Sequence, residues 1–341
     1  MMEALAAQRR TRTAAAEGVE IVEFVLEGTN LICPYFHQRF FTHDSQRVVC
    51  YGEFDGNNEA VLVEIETGDA WRLTNGGAHV HTGDLAPDGR RFWFARDGVV
   101  WSVDIESGEE VERFVLPSDD GYKCMSMVHF SADGSHIAMG ANREHASGVK
   151  EACVFAIDVE TGDATIIVER PFQIGHVQWS TIDPQLVMYC HETGGDSPQR
   201  MWLARTDGHH PGALFDWPGH PWVTHETFTG DGGEVVFIRH PDGMGAIRPD
   251  NTGYEPIEAP GAWHPGPNRD ASIIVHDTHK GEVRLHWRET GRSVLLSTNE
   301  LATANNHPHP RWAPNETMVI WTSNREAPTR PAVADVTVLT G

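Results

Sequence analysis

Residues 223–239 read VTHETFTGDGGEVVFIR: a polar and aromatic run, a turn at Asp231-Gly232, then the segment EVVFIR. β-Branched and aromatic residues on either side of an Asp-Gly pair predict strand, tight turn, strand. The pattern recurs at Asp44-Ser45, Asp88-Gly89, Asp133-Gly134, Asp183-Pro184, Asp270-Ala271 and Asn315-Glu316, each followed by a short strand-like run: RVVCYG, RFWFAR, HIAMGA, LVMYCH, SIIVHD and MVIWTS. A second turn follows in six of the seven units, at Glu66-Thr67-Gly68, Glu106-Ser107-Gly108, Glu160-Thr161-Gly162, Thr206-Asp207-Gly208, Asn251-Thr252-Gly253 and Glu289-Thr290-Gly291.

Units of four short antiparallel strands spaced about 40–50 residues apart are the signature of propeller blades, which stack radially because one blade cannot bury both of its faces. The expected fold is therefore all-β, a seven-bladed β-propeller occupying residues 19–341. The strand-like stretch from Val19 to Leu31 is expected to pair into the last blade and close the ring, removing its open edge. Residues 1–17 read as a helical or frayed lead-in, giving an N-terminal segment of residues 1–18. A β-helix or two stacked sandwiches is the alternative.

The chain has 341 residues, 40% of them hydrophobic, with 33 Gly and 20 Pro, enough apolar material for a core and many turns. A formal net charge of −23 excludes a nucleic-acid partner, which needs clustered Lys and Arg. It also requires that an acidic ligand be met by a local positive centre. The five cysteines are odd in number and lie in apolar runs, which suits reduced thiols and a cytoplasmic protein. The N-terminus has no signal-peptide apolar stretch, and nothing approaches the ~20 apolar residues of a membrane span.

Twenty histidines is a high count. His37, His81, His176, His225, His264 and His309 each precede their unit's first turn by six or seven residues, which places them near the start of the innermost strand, facing the central channel at one rim. In HPHPRW, residues 307–312, two imidazoles one residue apart share a face of a strand and can reach one metal ion. His264, at the matching place in the neighbouring unit, is a third candidate ligand. Three nitrogens with open positions suit Zn, Mn, Fe or Ni in a catalytic site. The competing reading is hydrogen-bonded channel histidines. His225 is a candidate general base, or else a fourth ligand. Arg200, in PQRMW, is a candidate carboxylate clamp or a surface charge. His176, His191 with its neighbour Glu192, and Arg39 complete the substrate-binding candidates.

These residues carry a resemblance to the oligogalacturonate lyases, pectin-degrading seven-bladed propellers with a Mn-type metal. It rests on YFHQRFFTHDSQRVVCYGEFDGN, IGHVQWSTIDPQLVMYCHE, QRMWLARTDG, VTHETFTGDG, HPGPNRDASIIV and HPHPRWAPN. The resemblance implies that His264, His307 and His309 bind the metal, that His225 is the base and that Arg200 binds substrate and stabilises charge. It further implies β-elimination across C4–O4 of a short, acidic uronate oligosaccharide, with Mn2+ as the divalent metal on the C6 carboxylate. It also implies a channel closed at one end, suited to short oligomers. Two departures stand out. Where the family has Arg-Gln before His-Pro-His-Pro, this chain has Thr303-Ala304-Asn305-Asn306, so Asn305 takes the glutamine's place as candidate ligand, with Asn306 or water as alternatives. The missing arginine motivates a second reading, the same metal site acting on another uronate-containing oligosaccharide. A non-catalytic propeller that binds a protein partner is the third. No GxSxG elbow occurs, which argues against a serine hydrolase.

Overall fold

The computed structural model describes residues 2–78, 83–118, 121–124, 127–144, 150–192, 199–209, 211–216, 222–300 and 307–341. Seven antiparallel sheets of four or five strands follow one another around a ring, the seven-bladed propeller that the repeat predicts. Blade five is representative: Trp222–Phe228 lies innermost, followed by Val235–His240, Gly243–Ile247 and the outermost Glu255–Glu258.

The first turn of every blade is built the same way. The side-chain oxygen of Asp44, Asp88, Asp133, Asp183, Asp231, Asp270 or Asn315 accepts the backbone N–H two residues on, at 2.9–3.1 Å. This Asx closure is why a short acid or amide recurs there, and it works even at Asp183-Pro184, where no glycine follows. At the second turns, Gly68, Gly108, Gly162, Gly208, Gly253 and Gly291 all have φ between 66° and 82°, a conformation costly to other residues.

Each junction between neighbouring blades carries its own apolar cluster. Phe24, Val48, Cys50 and Ile320 join blades seven and one, and Met188, Phe228, Val235 and Phe237 join four and five. The ring is closed by Glu20–Leu26, which pairs with Arg330–Asp335 of the last blade in the register Ile21↔Ala334, Val22↔Val333, Glu23↔Ala332.

The N-terminal lead-in differs from expectation. It is extended, not helical: Ala7–Thr13 pairs along its length with Glu20–Leu26, and Glu3–Leu5 adds an outer strand to blade one against Ala70–Arg72. An open ladder edge was available, and Arg12 anchors the segment there. Its guanidinium reaches Glu23 at 2.6 Å and the fully buried Glu300 at 3.0 Å.

The junctions also hold polar bridges. The Trp179 backbone N–H in blade four donates to Nδ1 of His129 in blade three at 3.1 Å, and burial lowers the His129 pKa to about 4.

Two predictions follow from this packing. Phe24→Ala removes a side chain with no exposed surface from the closing junction and is expected to cost about 3–5 kcal/mol in denaturant unfolding; a loss near zero would mean that the closing strand contributes little. His129 stays neutral in the fold down to about pH 4 but titrates at 6.5 when unfolded. In that window the unfolded chain binds the extra proton, so stability falls as pH drops through it. His129→Asn, whose amide oxygen still accepts from Trp179, should flatten this part of the stability curve, and an unchanged slope would contradict the assignment.

Candidate active site

The channel histidines are presented by irregular backbone. The ladder shifts register between Gly175 and Gln178 and between Thr224 and Thr227, and His176 and His225 sit in these bulges with φ of 48° and 51°. A third shift, between Ala262 and Pro265, surrounds His264. Bulges of this kind re-aim side chains. A left-handed non-glycine residue costs on the order of 1–3 kcal/mol, held only where the surroundings dictate it. The His-Pro-His-Pro motif is not the same-face strand pair expected. Pro308 and Pro310 have no N–H for a ladder, the inner strand begins only at Arg311, and His309 has φ 47°.

The rings nevertheless converge on His264. Its centroid lies 4.2 Å from that of His225, 4.3 Å from His309 and 5.0 Å from His307. His264 is buried and its Nδ1 meets Asp277 Oδ2 at 2.8 Å, while its backbone N–H donates to Asp277 Oδ1 at 2.8 Å. The His309 backbone N–H bonds the same carboxylate, which burial raises to about 6. Asp277 is thus committed to holding two histidines in place, with the His264 proton on Nδ1 and the Nε2 lone pair facing outward.

Arg200 is also buried, with Nε donating to Glu226 Oε2 at 2.9 Å and a terminal nitrogen 3.5 Å from Glu192 Oε2. Burial alone would weaken its charge, but Glu226, together with Cys190 and Glu192, more than compensates and keeps the guanidinium protonated. His176 Nε2 lies 3.5 Å from the same Glu192 oxygen. Arg200, Glu192 and His176 therefore form one group beside the histidine cluster, with His176 and His225 centroids 6.4 Å apart.

Tyr35 and Phe36 form the floor. The Tyr35 ring lies 4.7 Å from His309 and 5.5 Å from His176, and Phe36 lies 5.6 Å from His264. Asp277, Glu226 and Tyr35 were not singled out by sequence reasoning. Each lies within a motif that was, but carries no spacing signal of its own.

Two candidates are placed elsewhere. His191 stacks on Phe172, centroids 4.0 Å apart, while its neighbour Cys190 turns to Glu192 with Sγ 3.7 Å from Oε2, because successive strand residues face opposite ways. Arg39 bonds Asp84 Oδ2 at 3.2 Å and the Phe130 carbonyl at 2.8 Å. It lines the channel beyond the floor, with His129 and Arg311. His81 and Asn305 lie outside the described residues.

The cluster suits a divalent metal on its own chemistry. Burial, the main cause, lowers the pKa of His225, His264 and His307, so the rings are neutral and carry lone pairs. Nδ1 of His225 and of His307 is buried without a hydrogen-bond partner. His264 and His307 each bring a nitrogen to within 4.8 Å of the other. Lone pairs of neutral rings crowded against one another are what a cation satisfies.

The chain is 23% identical to the oligogalacturonate lyase of Dickeya dadantii (strain 3937), over 90% of each chain, and 23% identical to the oligogalacturonide lyase of Pectobacterium atrosepticum, over 91% of each. Its fold matches the crystal structure of oligogalacturonate lyase from Vibrio parahaemolyticus with a TM-score of 0.87 at 21% identity, covering 98% of each chain. It matches an oligogalacturonate lyase in complex with manganese with a TM-score of 0.86 at 20% identity, covering 98% of this chain and 97% of the other. The model of the oligogalacturonate lyase family matches residues 4–247, from the first strand through the third strand of blade five. By that match the chain belongs to the oligogalacturonate lyase family, a family of carbon–oxygen lyases.

Proposed function

We propose that this protein cleaves short, acidic uronate oligosaccharides, oligogalacturonides, by metal-dependent β-elimination. The observation that carries this reading is the convergence of His225, His307 and His309 on His264, with Asp277 behind it. His264, His307 and His309 would hold the ion, with Asn305 as candidate fourth ligand, and the manganese in the related complex makes Mn2+ the first choice. When bound, the metal neutralises the C6 carboxylate of the uronate and so acidifies the neighbouring C5 proton.

The chain's own groups supply the rest. His225, kept neutral by burial, takes the C5 proton. The C4–O4 bond then breaks, its electron pair leaves on O4, and the double bond forms between C4 and C5. Arg200, held charged by Glu226, meets the negative charge that develops on the sugar, and Glu192 and His176 border the same space. The Tyr35–Phe36 floor closes the channel beneath the sugar, which favours short substrates attacked from an end. Five free thiols support action in a reducing compartment such as the cytoplasm.

The decisive experiment is metal analysis of the purified protein together with an ultraviolet assay of unsaturated product from di- and trigalacturonate. About one metal per chain and elimination activity are expected. A metal-loaded protein silent on every uronate oligomer would refute the lyase reading. His225→Ala should lower kcat by about 10²–10⁴-fold while the metal stays bound; near-normal turnover would remove His225 as the base. Asp277→Asn cannot hold the Nδ1 proton of His264 in the same way, and metal affinity measured against a chelator should weaken by about 10–100-fold. Unchanged affinity would show that Asp277 does not orient the site.

A further inference from the structure

Beyond the Tyr35–Phe36 floor the channel continues as a second cavity of ≈ 220 Å³ lined by His37, His129, Gln178, Trp179, Thr227 and Arg311. Its lining is rich in donors. His37 is 5% exposed and neither ring nitrogen has a partner. His129 is 6% exposed; its Nδ1 accepts from Trp179, so its proton sits on Nε2, a donor. The first terminal nitrogen of Arg311 donates to the carbonyls of Phe36, at 3.0 Å, and Gln38. Its Nε and other terminal nitrogen have no acceptor among the described residues, and no carboxylate pairs with it.

The acids nearby are already engaged. Asp84 accepts the Arg39 backbone N–H at 2.5 Å, Arg39 Nε at 3.2 Å and the Phe130 N–H at 3.2 Å. At the mouth, Glu316 accepts the Arg269 N–H at 2.5 Å. Asp84, the carboxylate whose charge acts on Arg311, is thus already paired with Arg39. Buried donors without acceptors are destabilising, and a guanidinium is built to receive an anion.

We propose that this cavity is an anion-binding site, in which Arg311, His37 and His129 hold a small monovalent anion, either a halide or the carboxylate of a single uronate. The volume is too small for an oligosaccharide, and the guanidinium rejects a metal cation. The site is separate from the histidine cluster across the floor and does not rest on the lyase reading.

The test is anomalous diffraction from crystals of metal-loaded protein soaked in bromide at physiological halide strength. A bromide peak between Arg311, His37 and His129 is expected, and it should be lost in Arg311→Gln. His37→Leu, which removes two nitrogens that have no protein partner and so should fold, is expected to weaken the peak as well. Displacement by free galacturonate would identify a uronate carboxylate as the ligand, whereas displacement by chloride alone would identify an inorganic ion. No peak in the cavity, or one unchanged in both variants, would overturn the proposal, whatever the enzyme's activity.

Discussion

Closure of the ring by Glu20–Leu26 against Arg330–Asp335 is the pairing on which the rest depends. Residues 35, 176, 225, 264 and 309 are far apart in sequence, and they meet only because the blades complete a circle around one axis. Arg12 ties the outer strands of blade seven back to the buried Glu300 at the end of blade six. At the seam between blades seven and one, Phe24 and Ile320 make apolar contact, and Arg311 reaches across to the carbonyls of Phe36 and Gln38. That last contact matters most for the site, because it fixes the segment carrying the floor to the blade carrying His307 and His309.

Burial then dictates the chemistry above the floor. Burial disfavours the charged imidazolium, so His225, His264 and His307 are neutral rings that present free lone pairs in close proximity. Asp277 decides which nitrogen of His264 faces inward. Glu226 has the opposite task on the neighbouring blade: it keeps a buried guanidinium charged beside neutral rings. One carboxylate orients a lone pair and the other secures a cation, and both are fully buried. The left-handed backbone at His176, His225 and His309 is the conformational cost of aiming these rings at one point.

Much of this was legible in the residue order. The Asx turns and glycine turns recur at fixed places because their hydrogen bonds and positive φ demand particular residue types, so the blades and their count could be read directly. The convergence of His225, His264, His307 and His309 followed from their matching positions. The N-terminal strands did not show, because AQRRTRT has no apolar alternation and becomes a strand only by finding the free edge of Glu20–Leu26. Asp277 and Glu226 were hidden because their importance lies in spatial neighbours, His264 and Arg200, from another strand or blade. Arg39 was misplaced because sequence order cannot tell which side of the floor a channel residue occupies.

Tyr35 and Phe36 therefore lie between two sets of groups of opposite character. Above them, neutral imidazoles offer lone pairs and invite a cation; below them, Arg311, His37 and His129 offer donors and invite an anion. A chain with a formal net charge of −23 has no long-range attraction for a uronate, and at physiological salt the repulsion from its surface is screened within about 8 Å. Recognition of an acidic sugar must then be local. In the proposed reading a bound metal and the buried Arg200 provide it beside the histidine cluster, where a low dielectric strengthens both interactions. The acidic exterior is thus compatible with an acidic substrate, because the positive charge that matters lies within the channel.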